Sequence, residues 1–287
     1  MKAFPIPVVA LGPGTQTEEE TLDYLPMPKD MDTYRAPILP EPEEIADRAA
    51  AREVLVAVLG LLDQAAAGQS GRQVNLRALA PEDLQLLNQV LGEGEASALV
   101  REDGSSLEVR IQESVFAGVW RVMSFKDGVR VDDAIEVGPV PGLLQMVAEE
   151  DAERVYRPWS GPLPPNVLNA PMLVEEIRDQ VARWQPGRDP HVVNLTLLPV
   201  SPEDIAYLDH QLGTGRVLML SRGYGNCRIT NTRLPHCWRV VYYNSMDAVI
   251  LNTVEVVDMP EVAMAAPEDL RDSHERLSDV LGYLEQS

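Results

Sequence analysis

Val74-Asn75-Leu76 recurs as Val193-Asn194-Leu195, and Pro81-Glu82-Asp83-Leu84 recurs as Pro202-Glu203-Asp204-Ile205. Leu91-Gly92-Glu93-Gly94 pairs with Leu212-Gly213-Thr214-Gly215, Arg110-Ile111 with Arg228-Ile229, Trp120-Arg121-Val122 with Trp238-Arg239-Val240, and Ile135-Glu136-Val137 with Val254-Glu255-Val256. Pro141 falls on Pro260, and the offset between partners stays between 118 and 121 residues throughout. Self-similarity at a fixed period is the mark of a duplicated structural unit. The chain therefore reads as two copies of one unit, separated only by small changes in loop length.

Hydrophobic spacing gives each copy a helix, a strand, a short helix and several strands. Residues 46–67 keep Leu55, Val58, Leu59 and Leu62 at helical spacing, and 173–184 do the same with Leu173, Ile177 and Val181. Ser201-Pro202-Glu203-Asp204 spells a helix start: a hydroxyl cap, proline in the first turn, and acids where the helix dipole favours them. Gly92 and Gly213 end the short helices. Strands follow at 95–100, 107–112, 118–125 and 129–137, the last two joined by the turn residues Lys126-Asp127-Gly128. An amphipathic helix from Pro267 closes the chain, with Leu270, Leu277, Val280, Leu281 and Leu284 near one face.

The expected class is α+β, with tandem copies built on mainly antiparallel sheets. Residues 1–44 hold eight of the 23 prolines and form a separate arm, read either as a disordered leader or as a docking segment. The first repeat spans 45–150, a proline-rich linker 151–171, and the second repeat with the closing helix 172–287.

Charge narrows the partners. With 45 acidic residues against 24 basic ones the net charge is −21, which disfavours nucleic acid and anionic membrane surfaces, both bound mainly through cations. No run of eighteen apolar residues occurs, and the amino terminus breaks into prolines before a signal-peptide core forms, so the expectation is a soluble cytoplasmic protein without membrane insertion. Two cysteines, Cys227 and Cys237, fit a reducing compartment.

No phosphate-binding loop, Gly-x-Ser-x-Gly elbow or His-Glu-x-x-His pair is present, and no enzyme is expected. In so acidic a chain most carboxylates are expected at the surface, and His210, opposite Gln89 on the short helix, is expected on a solvated face. The densest cluster of unusual residues is Ser221-Arg222-Gly223-Tyr224-Gly225-Asn226-Cys227-Arg228, between two strands of the second copy. Its glycines serve either a tight turn or close approach of a partner, and Arg222 offers a cation. The corresponding loop of the first copy, residues 101–108, has none of these features except one glycine, which favours a binding role. Cys227, Cys237 and His236 invite a metal hypothesis, but Cys227 aligns with Val109 and Cys237 with Val119, as buried small hydrophobes would. No metal site is expected.

The run Phe4-Pro5-Ile6-Pro7-Val8-Val9-Ala10-Leu11-Gly12-Pro13-Gly14, with Tyr24-Leu25-Pro26-Met27-Pro28 and Met31-Asp32-Thr33-Tyr34 behind it, resembles the start of the HupH/HyaF hydrogenase expression and formation proteins. Residues 215–229, Trp238-Arg239-Val240 and Ala265-Ala266-Pro267-Glu268-Asp269-Leu270 resemble that family's carboxy-terminal region. The resemblance implies an accessory protein for an uptake nickel-iron hydrogenase, without a reaction or resident cofactor of its own. It implies as partners the iron-sulfur small-subunit precursor, before the large subunit docks, and a thioredoxin-like accessory protein. Residues 221–228 and the arm are then the contact candidates. The competing reading is a transient iron or iron-sulfur carrier using Cys227, helped by Cys237 or His236.

Overall fold

The computed structural model describes residues 48–69, 71–101, 104–223 and 225–285. The proline-rich arm and Tyr224 lie outside the described residues. The described chain forms two compact units, one of residues 48–144 with 261–285 and one of residues 145–260. Its class is α+β, and every strand pair inside each unit is antiparallel.

In the first unit α1 (Ala49–Ala66) precedes β1 (Arg72–Asn75), α2 (Pro81–Leu91) and four strands, β2 (Ala96–Arg101), β3 (Leu107–Glu113), β4 (Val119–Lys126) and β5 (Val129–Val137). Strand order is β1-β5-β4-β3-β2. The β4–β5 turn is set by Asp127 (φ 53°) and Gly128 (φ 76°), two successive positive φ angles that match the twist of a hairpin. Leu55, Val58 and Leu62 of α1 are fully buried against Leu87, Ile135 and Val137.

The closing helix, α6 (Pro267–Glu285), packs in this first unit, although the sequence reading groups it with residues 172–287. Its stripe of Leu270, Leu277 and Leu281 completes the core over α1. Gly118 makes room for it, since a Cβ there would stand 2.1 Å from Leu270 Cδ2.

A further helix, α3 (Gly142–Glu153), starts where Glu136 Oε1 accepts the Gly142 N–H at 2.7 Å. The second unit then has α4 (Ala170–Ala182), β6 (His191–Asn194), α5 (Pro202–Leu212), β7 (Val217–Ser221), β8 (Asn226–Asn231), β9 (Cys237–Tyr243) and β10 (Val249–Val256), in strand order β7-β8-β9-β10-β6. Val174, Ile177, Leu208, Leu212 and Val254 form its core. The stretch 151–171, proline-rich as a linker is, is built into this unit, where Asp151, Val167 and Ala170 are buried. Among the described residues no helix is long and apolar enough to cross a membrane.

Candidate functional site

Strand directions gather several loops at one end of the second unit. β7 ends at Ser221, and β8 returns from Asn226 opposite Tyr243, where the β9–β10 turn begins. β6 runs antiparallel to β10 with Asn194 opposite Thr253, so the loop at 195–201 rises at the same end. Thr196 Oγ1 accepts the Asn252 N–H at 2.8 Å and ties this loop to β10.

Among the described residues of the sequence-selected segment, those of the turn are open. Arg222, Gly223 and Gly225 are exposed, Asn226 and Arg228 are half-buried, and Ser221 and Cys227 are buried. Gly225 N–H donates to Arg222 O at 3.3 Å, and Gly225 takes φ 99° with open space where a Cβ would stand. The glycine is required there for its dihedral, not for room. Arg228 lies in β8 with its guanidinium carbon 5.9 Å from the centre of the Tyr243 ring. Residues 226–228 are thus strand rather than loop.

The thiols are poor ligands in this fold. Burial foremost, with the nearby Glu255 carboxylate adding to it, pushes Cys227 up to about 12, and burial does the same to Cys237. Metal ligation and nucleophilic attack both use the thiolate. Cys227 pairs with Tyr242 and Asn231 with Trp238, so Cys227 and Cys237 stand at opposite ends of the β8–β9 ladder, about 17 Å apart by strand rise. His236, next to Cys237, is stacked on Trp184 with ring centres 3.5 Å apart, and its Nδ1 lies 2.9 Å from Asp258. Cys227 therefore has no help from either. Among the described residues no three His, Cys, Asp or Glu side chains gather as a metal-ion site.

Several carboxylates expected at the surface are inside. Asp151 of α3 is fully buried and accepts from Arg216 N and Nε at 2.7 Å each, Asn231 Nδ2 at 2.9 Å and Arg233 at 3.3 Å. Burial alone would raise its pKa, but these donors together hold it below the usual carboxylate range. Asp204 is likewise buried and lowered: against the burial, its Oδ1 accepts from the backbone of Leu168, Asn169 and Ala170 and its Oδ2 from Ser201. His210, expected in solvent, is half-buried with Nδ1 3.0 Å from the Tyr156 hydroxyl.

Sequence reasoning missed the apolar residues at this end of the unit. Leu168, Leu197 and Met246 in its loops, and Met172 in the first turn of α4, are highly exposed. A signal was present: the stretch from Asn194 to Pro202 is two residues longer than its counterpart from Asn75 to Pro81, and the added length carries Leu197-Leu198.

The second unit thus carries an open turn and exposed apolar side chains on an α+β scaffold. Residues 48–157 and 167–284 match the family described as HupH hydrogenase expression protein, C-terminal conserved region. The chain is 55% identical over 287 residues to hydrogenase expression/formation protein HoxQ of Cupriavidus necator, covering 99% of each. It is 43% identical to hydrogenase expression/formation protein HupH of Rhodobacter capsulatus over 97% of each chain, and 32% identical to hydrogenase-1 operon protein HyaF of Escherichia coli over 96% of each. A solved hydrogenase expression protein HupH from Thiobacillus denitrificans is 24% identical, with a TM-score of 0.38, and aligns with 40% of this chain and 95% of its own. The chain belongs to the HupH/HyaF family of hydrogenase expression/formation proteins.

Proposed function

We propose that this protein is a maturation factor for a nickel-iron hydrogenase that binds the iron-sulfur small-subunit precursor before the large subunit docks, acts beside a thioredoxin-like accessory protein, and catalyses no reaction. One observation carries the proposal: identity to a hydrogenase expression/formation protein runs at 55% along 99% of the chain. The charge of −21 supports a basic partner, since opposite charges speed encounter and their attraction weakens with salt. We infer further that the two units are tandem copies of one ancestor, each with a helix, strand, helix and four strands in that order.

Native mass spectrometry of this protein co-purified with its cognate small-subunit precursor, in the absence of the large subunit, tests the function. The expected result is a defined complex in which this chain itself carries no metal. Recovery of this chain alone, loaded with iron and sulfide and without precursor, would replace the binding role by the carrier one.

A further inference from the structure

Strands β2, β3 and β4 of the first unit carry Arg101, Arg110 and Arg121 on one face of the sheet, because Arg101 pairs with Glu108, Arg110 with Met123 and Gln112 with Arg121. Two carboxylates on that face answer them. Glu108 accepts from Arg101 Nε at 3.2 Å and also from Arg110 Nε, and so bridges the two guanidinium groups. Asp133 accepts from Arg121 Nε at 2.9 Å and Nη2 at 2.8 Å. Burial would raise the Glu108 pKa, but its two arginines outweigh the burial and hold it below the usual carboxylate range.

The second unit repeats the arginines and replaces both acids. Arg228 and Arg239 align with Arg110 and Arg121, and Arg222 follows Ser221 as Arg101 follows Val100, with Ser221 paired to Cys227 and Val100 to Val109. Asn226 pairs with Tyr243 as Glu108 pairs with Phe125, and Asn252 pairs with Val241 as Asp133 pairs with Met123. Asp209 of α5 offsets part of the change: it lies 3.2 Å from Arg239 Nη1, where α2 of the first unit sets the neutral Asn88 beside Arg121. Asp247 of the β9–β10 turn also acts on this face, through Tyr243. Position 226, the counterpart of Glu108, carries no charge. Arg228 and Arg239 are diagonal neighbours across β8 and β9, within reach of each other for long side chains. Burial lowers the Arg228 pKa, Tyr243 offsets part of this, and the Arg239 charge adds to it. A carboxylate beside Arg228 opposes both lowering effects and forms charge-assisted hydrogen bonds. Arg222 is exposed and Asn226 and Arg228 are half-buried, so a ligand can reach them.

We propose that Arg222 and Arg228 of the second unit, with Asn226 beside them, seat the carboxylate of a glutamate on a partner protein, in the place that Glu108 fills from within the first unit. The inference goes beyond the proposed function, since it assigns one cationic seat on an acidic chain whatever the partner's identity. The Asn226 amide can donate to the incoming carboxylate, where a glutamate at that position would repel it. The overall charge of −21 opposes an acidic ligand at long range, but at about 0.15 M salt that field is screened beyond about 8 Å and the contact itself decides.

Fluorescence anisotropy on the full chain at that ionic strength tests this with two synthetic peptides of Gly, Ser and Ala that carry a neutral dye and differ only in a central Glu-Glu or Gln-Gln. The Glu-Glu peptide is expected to bind about tenfold tighter. Asn226→Glu writes the acid of the first unit into the second, fills the seat from within and is expected to abolish the preference. Arg222→Gln is expected to abolish it too, and its side chain lies in solvent, so the fold is retained. Arg110→Gln, in the first unit where Glu108 already occupies the seat, is expected to bind as wild type does. Equal binding of the two peptides, a preference that survives in Asn226→Glu and Arg222→Gln, or an equal loss in Arg110→Gln overturns the proposal. Inorganic phosphate that binds more tightly than the Glu-Glu peptide overturns the assignment to a carboxylate. Tighter peptide binding in Glu18→Gln/Glu19→Gln/Glu20→Gln also overturns it, because this chain's own arm then fills the seat. Wild type that prefers the Glu-Glu peptide but captures no small-subunit precursor leaves the seat standing and removes the proposed function instead.

Discussion

The two units share a backbone frame and put opposite chemistry on it. Gly94 N–H donates to Glu113 O at 2.7 Å, and at the aligned positions Gly215 N–H donates to Asn231 O at 2.8 Å. Ser114 and Thr232, Gly138 and Val257 repeat the correspondence in their backbone bonds. Trp120 and Trp238 are both buried, with indole N–H groups donating to Gly138 O and Asp258 O. Where the second unit has Arg216 and Asn231 gathered on Asp151, the first has Glu95 and Glu113 near Asp269. Backbone pairing at a joint thus tolerates a compensated ion cluster or a set of like charges. Side chains at the joint decide how each unit answers to pH and mutation.

Removing Asp151 is the strongest way to break that comparison. Asp151→Ala leaves the buried Arg216 short of its main counter-ion and should cost about 3–5 kcal/mol, the range for a buried pair losing one partner. Urea unfolding checks the magnitude. Hydrogen exchange checks the place: β7 and β8 amides should lose protection while those of β3 to β5 keep theirs. Because its folded pKa is lowered, the stabilisation from Asp151 is complete above the unfolded carboxylate value and disappears as pH falls through the folded one. A variant with wild-type stability at neutral pH would show the cluster to be neutral in sum.

Asp204 and its aligned partner Asp83 give the next contrast. Asp204→Ala strips the acceptor from three backbone N–H groups and from the Ser201 cap, and about 3 kcal/mol should be lost. Asp83 accepts from Ala51 N–H at 3.3 Å and has no hydroxyl cap beside it, so Asp83→Ala should cost about 1 kcal/mol. Equal losses in the two variants would mean that loop fastening around Asp204 contributes nothing beyond an ordinary helix start.

Features written in local sequence were readable. The Ser201 cap forms with Asp204 as its reciprocal partner, Gly92 and Gly213 end their helices at positive φ, and the 107–112 and 129–137 strands appear nearly as spaced. Asp151 was not readable, because its main partner Arg216 lies 65 residues away and nothing near it in sequence marks one acid among 45 for burial. Helix α3 was missed for a related reason: only Leu144 and Val147 in it are buried apolar residues, too short a stripe to show a period. Helical spacing announced the face of α6 but not the surface that would cover it. At residues 221–228 the turn was visible in the glycines, whereas the point at which β8 resumes and buries Cys227 was not.

Glu113 sharpens the comparison with the opposite sign. Burial first, then Glu95 and Asp269, raise its carboxyl to about 7, against partial relief from the Gly118 N–H at 3.1 Å. Its folded pKa exceeds the unfolded one, so the folded state binds more protons between about pH 4.3 and 7, and the first unit loses stability across that window as pH rises. Glu113→Gln keeps an acceptor for Gly118 and removes the charge. It should stabilise the protein by about 1–2 kcal/mol at pH 8 and change little at pH 5. An unaltered pH slope in the variant would assign the slope to other groups.

The smallest effect concerns the helix starts themselves. Ala80 precedes α2 with φ −63° and ψ 152°, close to the φ −81° and ψ 163° of Ser201 before α5, yet has no side chain to cap the helix. Both helices continue with Pro-Glu-Asp, so the third residue of α2 already supplies the carboxylate that completes a capping box in α5. Ala80 is exposed, and a hydroxyl there meets no steric barrier. Ala80→Ser should therefore raise stability by about 1 kcal/mol in urea unfolding, with the gain confined to α2 amides in hydrogen exchange. If no gain appears, the frame shared by the two units is less alike at this helix start than its backbone angles indicate, and the Ser201 cap draws its effect from the loop that Asn166 and Asp204 hold in place.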